Sequence, residues 1–161
     1  MIEVSSLVRF ATPISAIIVA YQVWQRGKQF TTQFEDDLDE KYRNIIYDLP
    51  IESLLDTSDS EKEYAGDLKD YYRYIELCNH QIFLRQKGRI TKSTWDDWSA
   101  GIDSNFGRSD FVSAWEEIEK ETESFDELHR YLDSDYHDDP RYWENPRRAT
   151  LADKWYSLWN L

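Results

Sequence analysis

The chain has little cysteine, proline or glycine: one, four and five of them in 161 residues. The lone thiol, Cys78, excludes an intrachain disulfide and fits a reducing compartment. With so few breakers, long uninterrupted helices are allowed, and no segment reads as a convincing strand or as an internal repeat. Catalytic signatures are missing too. There is no P-loop, no GxGxxG, no HExxH, no CxxC and no GxSxG. Base is scarce relative to acid, with 19 Lys and Arg against 32 Asp and Glu, a net charge of -13. Such a negative field repels nucleic-acid phosphates and an anionic leaflet. No nucleic-acid partner is expected, and the acidic part of the chain should stand off a membrane rather than lie on it.

One stretch is rich in what the rest lacks. Leu7 to Trp24 reads LVRFATPISAIIVAYQVW, and everything after Arg26 is strongly charged. A membrane-spanning helix needs about 20 mostly apolar residues, with about 17 as the lower limit. Arg9 lies one turn from the start, where its stem can snorkel. Pro13 falls in the first half of the helix, where neighbouring hydroxyls can satisfy freed backbone groups. Leu7, Phe10, Ile14, Ile17 and Ile18 supply the apolar body. Tyr21 and Trp24 suit the lipid–water interface, and Arg26 and Lys28 follow at once. The positive-inside rule then assigns the C-terminal domain to the cytoplasm, as part of a single-pass membrane protein. Two alternatives stand beside this anchor. The helix can instead be buried in a hetero-complex, as in a soluble accessory subunit. Or it can be a signal peptide, which fits poorly: acid precedes Arg9 and no small-x-small cleavage site follows Val19.

Beyond the anchor, Phe30, Phe34, Leu38, Tyr42, Ile45 and Leu49 recur at helical spacing. A single helix from about Val4 to Tyr47 follows, roughly 65 Å long at 1.5 Å per residue, with Gly27 its weakest interior point and Pro50 its stop. A loop is expected over Leu54 to Ser60. Ser58 with Glu61, or Ser60 with Glu63, is the expected capping box of the next helix. That helix carries Tyr64, Leu68, Tyr71, Tyr72, Ile75, Asn79, Ile82 and Phe83, and ends at Gly88. Thr91 caps a third helix with Trp95, Trp98, Ile102 and Phe106, ended by Gly107. A fourth starts at Ser109 with Phe111, Val112, Trp115 and Ile118. Ser124 and Glu127 are the expected capping box of a fifth, with Phe125, Leu128, Tyr131 and Leu132. Asp133 to Arg148, with its two prolines, reads as a loop, and a last helix from Thr150 carries Leu151, Trp155, Leu158 and Trp159.

Four features resemble chemistry and read more simply as structure. The acidic loop with Asp133, Asp135, His137, Asp138 and Asp139 offers oxygen ligands for a divalent cation. It lacks the glycine and terminal glutamate of an EF-hand, so a solvated loop is preferred. Glu116, Glu117, Glu119, Glu121 and Glu123 read as a solvated helix face rather than an acid–base pair. Trp95 and Trp98 read as core, and Cys78 as a buried structural thiol. By contrast, Trp155, Tyr156 and Trp159 lie at the end of the chain after a proline-punctuated loop, and are a candidate partner surface.

An apolar helix runs into a charged one, then a Tyr-rich helix ending in KG. Next come the block GRITKSTWDDW and FVSAWEEI. This arrangement resembles a class of uncharacterised small prokaryotic membrane-anchored proteins, in which Gly88, Ile90, Trp95 and Trp98 would match a G-x-I-x-x-x-x-W-x-x-W-like block. The resemblance covers Leu7 to Leu132. It implies an all-helical fold and an anchor, and carries over no catalytic residue.

The sequence therefore predicts an all-α protein: a long N-terminal helix, anchor running into spacer, and a small acidic bundle. The expected divisions are an anchor at 1–28, the rest of the long helix at 29–49, a bundle at 50–134, and a loop with an aromatic helix at 135–161. The expected role is a non-catalytic interaction or scaffold module that needs no cofactor or metal. Its expected partners are the bilayer and a protein or a second copy of itself.

Overall fold

The computed structural model describes the backbone of residues 4–55, 57, 64–122, 124–134 and 139–144, and the side chains of these from Ile17 onward. It is all-helical, with no strand among the described residues. Six α-helices follow one another: α1 Val4–Asp48, α2 Ile51–Leu54, α3 Leu68–Gln86, α4 Lys92–Phe106, α5 Ser109–Glu121 and α6 Asp126–Asp133, followed by a 3-10 turn at Pro140–Tyr142. Two compact units divide the chain, Met1–Leu38 and Asp39–Leu161, so their boundary falls inside α1.

The first unit is the α1 backbone up to Leu38. Gly27 is accommodated without a break, although glycine costs about 1 kcal/mol relative to alanine inside a helix. The helix ends at Asp48 because Leu49 precedes Pro50, and a residue before proline is pushed out of the α region.

In the second unit α3 is the hub, packing against α4, α5, α6 and the 3-10 turn. Its buried residues are Tyr71, Tyr74, Ile75, Leu77, Cys78, Gln81, Ile82, Leu84 and Arg85. At about 100° per residue they fall on one continuous face that takes up roughly half the circumference. This corrects the expected face: Tyr72 is exposed, while Tyr74, Leu77, Gln81 and Arg85 are buried. The observed face is turned relative to the expected one and is broader than the stripe of a surface helix, because four elements pack along it. Trp95, Trp98, Ile102 and Phe106 on α4, Phe111, Trp115 and Ile118 on α5, and Leu128 and Tyr131 on α6 fill the space around it. Their rings meet edge to face, Tyr74 on Phe111 at 5.2 Å and Trp95 on Tyr131 at 5.6 Å, a geometry aromatic quadrupoles favour. The last turns of α1, from Asp39 on, belong to this unit. Asp39 accepts a 2.7 Å hydrogen bond from the Trp98 indole, and Tyr42 packs on Tyr74.

Helix starts depart from expectation at two places. α3 begins at Leu68, capped by the Asp67 carboxylate on the Lys69 amide, four residues after Tyr64. The serines expected to cap it, Ser58 and Ser60, lie outside the described residues. α6 has no serine cap: Ser124 bonds Thr122, and the first residue before the helix is Phe125, at φ 78. The orphan amide of Leu128 is met from another helix, by the Asn79 carboxamide oxygen at 3.0 Å. Thr91 does cap α4, on the Thr94 amide, and Gly88 adopts φ +65 just past α3.

Candidate membrane and partner surfaces

Within the first unit, the described part of the apolar run is Ile17 to Trp24. Ile17, Ile18, Val19, Tyr21, Val23 and Trp24 are each at least half exposed, from 50% at Ile18 to 69% at Ile17. Successive residues on an α-helix advance about 100°. These six side chains therefore leave no gap wider than about 100° around the axis. Exposed Ala20 and Gln22 fall in the two widest gaps. The segment is apolar all round, unlike a surface helix, whose apolar residues keep to one stripe.

At its C-terminal end the character changes within two turns. Tyr21 and Trp24 pack ring on ring at 5.9 Å, and the Gln25 amide donates to the Tyr21 hydroxyl at 2.6 Å. Lys28 Nζ stands 4.2 Å from the Trp24 ring centroid, a cation–π distance, and Arg26 is exposed beside it. Leu7, Phe10 and Ile14 sit on the α1 backbone, and their side chains lie outside the described residues. So do Trp155, Tyr156 and Trp159, the expected partner surface, and the whole helix expected from Thr150. Among the described residues, no helix is long and apolar enough to cross a membrane.

The second unit carries three exposed large apolar residues that periodicity alone did not single out. Tyr47, Ile51 and Leu55 are 80%, 58% and 64% exposed, at steps of four residues across the Pro50 bend. From the sequence, Tyr47 falls at the end of the long helix and Leu55 in a loop, and only burial separates them from Leu49, which is buried.

Buried polar groups in this unit are consumed by structure. The Ser53 hydroxyl donates to Asp110 Oδ2 at 2.5 Å and lies 2.6 Å from the Tyr71 hydroxyl. The same carboxylate oxygen accepts from the Ala65 amide at 3.1 Å, and Tyr71 donates to the Ala65 carbonyl at 2.9 Å. These bonds tie α2 and the 64–67 segment to α3 and α5. A nucleophilic serine needs a base placed to take its proton and an open face for substrate. Ser53 is 1% exposed, and its hydrogen-bond neighbours are a phenol and a carboxylate. Burial pushes the Tyr71 phenol up to about 12, with the neighbouring Asp110 charge adding to the rise. Burial likewise lifts the Cys78 thiol to about 12 and raises Tyr74. A thiol so raised is neutral and inert at neutral pH.

Asp139, counted in the acidic loop, is a structural anion. It takes the buried Arg85 guanidinium in a two-pronged pair, Nε to Oδ1 at 2.8 Å and Nη2 to Oδ2 at 2.5 Å. Arg85 Nη1 also donates to the Ile90 carbonyl, and Asp139 caps the Pro140–Tyr142 turn through the Arg141 amide. The expected structureless loop from Asp133 to Arg148 thus contains a pinned turn, because a buried charge on α3 demanded a counter-ion. Asp135, His137 and Asp138 lie outside the described residues. Among the described residues, no group of three or more His, Cys, Asp or Glu side chains could hold a metal ion. The glutamate run on α5 is not wholly solvated either: Glu117 accepts from Tyr64 at 2.8 Å, and Glu119 lies 3.3 Å from His129 Nδ1.

No protein-family model matches this sequence, nor does any curated protein or any solved structure.

Proposed function

We propose that this protein is a membrane-anchored, non-catalytic interaction module. The N-terminal part of α1 holds it in a bilayer as a single pass. The acidic helical bundle on the cytoplasmic side binds a protein partner or a second copy of the chain. The carrying observation is the water-exposed apolar belt of Ile17 to Trp24, which closes around the whole helix. Burying one large apolar side chain is worth about 1.5–3 kcal/mol, so leaving six in water forgoes on the order of 10 kcal/mol. A partner groove covers one side of a helix, whereas lipid surrounds it. Tyr21, Trp24, Arg26 and Lys28 at one end have the residue types found where such a helix leaves the hydrocarbon. The exposed apolar side chains of Tyr47, Ile51 and Leu55 support the interaction role.

The test is fractionation of the full-length chain from its own cells, with an alkaline carbonate wash. Retention in the pellet until detergent is added is the expected result. Release by carbonate, or recovery in the soluble fraction within a stable complex, would replace the anchor with a helix enclosed by several protein neighbours.

A further inference from the structure

We infer that Tyr21, Trp24, Arg26 and Lys28 form a collar that selects anionic lipid headgroups, and that the uncharged stretch after it insulates the collar from the protein's own acid. This inference rests on the membrane reading above and adds a ligand class to it.

The charge distribution along α1 carries the argument. Although the chain holds 32 acidic residues, none lies between Glu3 and Glu35. That interval contains Arg9, Arg26 and Lys28 and no counter-charge. Among the described residues, neither Arg26 nor Lys28 is in a salt bridge. Arg73 with Asp48 and Lys92 with Asp96, in the acidic part of the chain, do form such pairs. Two unpaired cations next to an all-round apolar segment therefore present net positive charge at the one level of the helix where headgroup phosphates would lie. The aromatic rings set that level. Lys28 stacks over Trp24, so its ammonium is held against the ring edge of the belt instead of trailing into water.

The spacing beyond the collar fits the same ligand. Gln29 to Phe34 carries no charge, and acid begins at Glu35, followed by Asp36 and Asp37. Lys28 and Glu35 lie seven positions apart on the helix, about 10 Å at 1.5 Å per residue. The Debye length in physiological salt is about 8 Å. Acid placed one turn closer would sit within the surface potential of an anionic leaflet and oppose the collar. At the observed spacing most of that potential is screened.

The experiment reconstitutes the full chain in phosphatidylcholine bilayers doped with nitroxide-labelled phosphatidylglycerol or nitroxide-labelled phosphatidylcholine. The motionally restricted fraction of each probe is read by electron spin resonance. The expected result is several-fold enrichment of the anionic probe, with roughly thirtyfold as the ceiling for two basic side chains. Enrichment should vanish at 1 M salt and in the Arg26→Gln, Lys28→Gln double variant, which still restricts both probes equally. Thr31→Glu with Thr32→Glu should reduce enrichment while the collar is intact. Equal restriction of both probes by the wild type overturns the headgroup inference and leaves the anchor standing. Restriction of neither probe overturns the membrane reading itself. Undiminished enrichment in the threonine variant overturns the insulating role of Gln29 to Phe34.

Discussion

Asp139 stands among acids that read as solvent-facing, and Arg85 stands at the basic end of a helix, where a cation needs no special partner. Packing gave both a different task. Arg85 is 5% exposed, so its charge must be neutralised in place. Arg85→Ala or Asp139→Ala should each destabilise the folded chain by about 3–5 kcal/mol, the usual cost of orphaning one member of a buried pair. Chemical denaturation of the two single variants checks this, with the surface change Lys92→Ala as the control that moves stability by less than about 1 kcal/mol. Cys78 and Tyr71 make a second residue-scale prediction. Both are held neutral by burial, with values raised from 9.0 and 10.0 to about 12. A group raised in the folded state contributes stability that is fully present below its unfolded value and is lost as pH rises through the folded one. Denaturation midpoints should therefore hold up to pH 9 and fall between pH 9 and 12. Each ionising group contributes a slope of up to about 1.4 kcal/mol per pH unit. Cys78→Ala should delay the onset of that fall toward pH 10, and a native thiol titration at pH 8 should find Cys78 unreactive.

At the scale of elements, the boundaries turn on backbone positions with positive φ. Gly66 has φ +84, and a side chain there would run into the Pro50 ring. Gly88 has φ +65, and a side chain there would meet the Arg141 guanidinium, the mobile end of a long side chain. Left-handed backbone alone costs a non-glycine residue about 1–2 kcal/mol. Gly88→Ala should cost about that much, and Gly66→Ala clearly more, because a proline ring cannot swing aside. Thermal unfolding of the two variants orders them. Phe125 pays the same backbone penalty without being glycine, and holds its place through the Trp115 and Tyr72 rings packed on it at 6.1 Å and 5.5 Å. The start of its helix leans on Asn79, so Asn79→Ala should cost roughly 0.5–2 kcal/mol, the range for losing a cap. Helical periodicity made α1, α4 and α5 legible in advance, since their apolar spacing, Thr91 and Pro50 are local signals. The start of α6 was not legible, because its cap comes from a residue far away in sequence.

For the molecule as a whole, the organising contrast is between an exposed apolar helix segment and a bundle whose apolar groups are packed away. Val19→Asp puts a charge in the belt. If the belt lies in lipid, that change should weaken membrane retention by an amount near 2.5–3.5 kcal/mol for a central position, roughly a hundredfold. The bundle's unfolding midpoint should stay where it was. Partition between pellet and supernatant reads the first effect, and near-UV circular dichroism under denaturant reads the second. A matching loss of bundle stability would mean that Val19 serves the fold and not the bilayer.

The sequence by itself determined the all-helical class, the long first helix, the apolar run and the aromatic and basic residues at its end. These depend on local propensity and on spacing, which are written along the chain. Tertiary structure decided which side chains are shared. It made α3 a hub with about half its circumference covered, turned Asp139 from loop acid into counter-ion, closed the Ser53–Asp110–Tyr71 cluster and left Tyr47, Ile51 and Leu55 in water. Those outcomes depend on partners dozens of residues apart, and the width and direction of a helix's buried face are set only when the neighbours arrive.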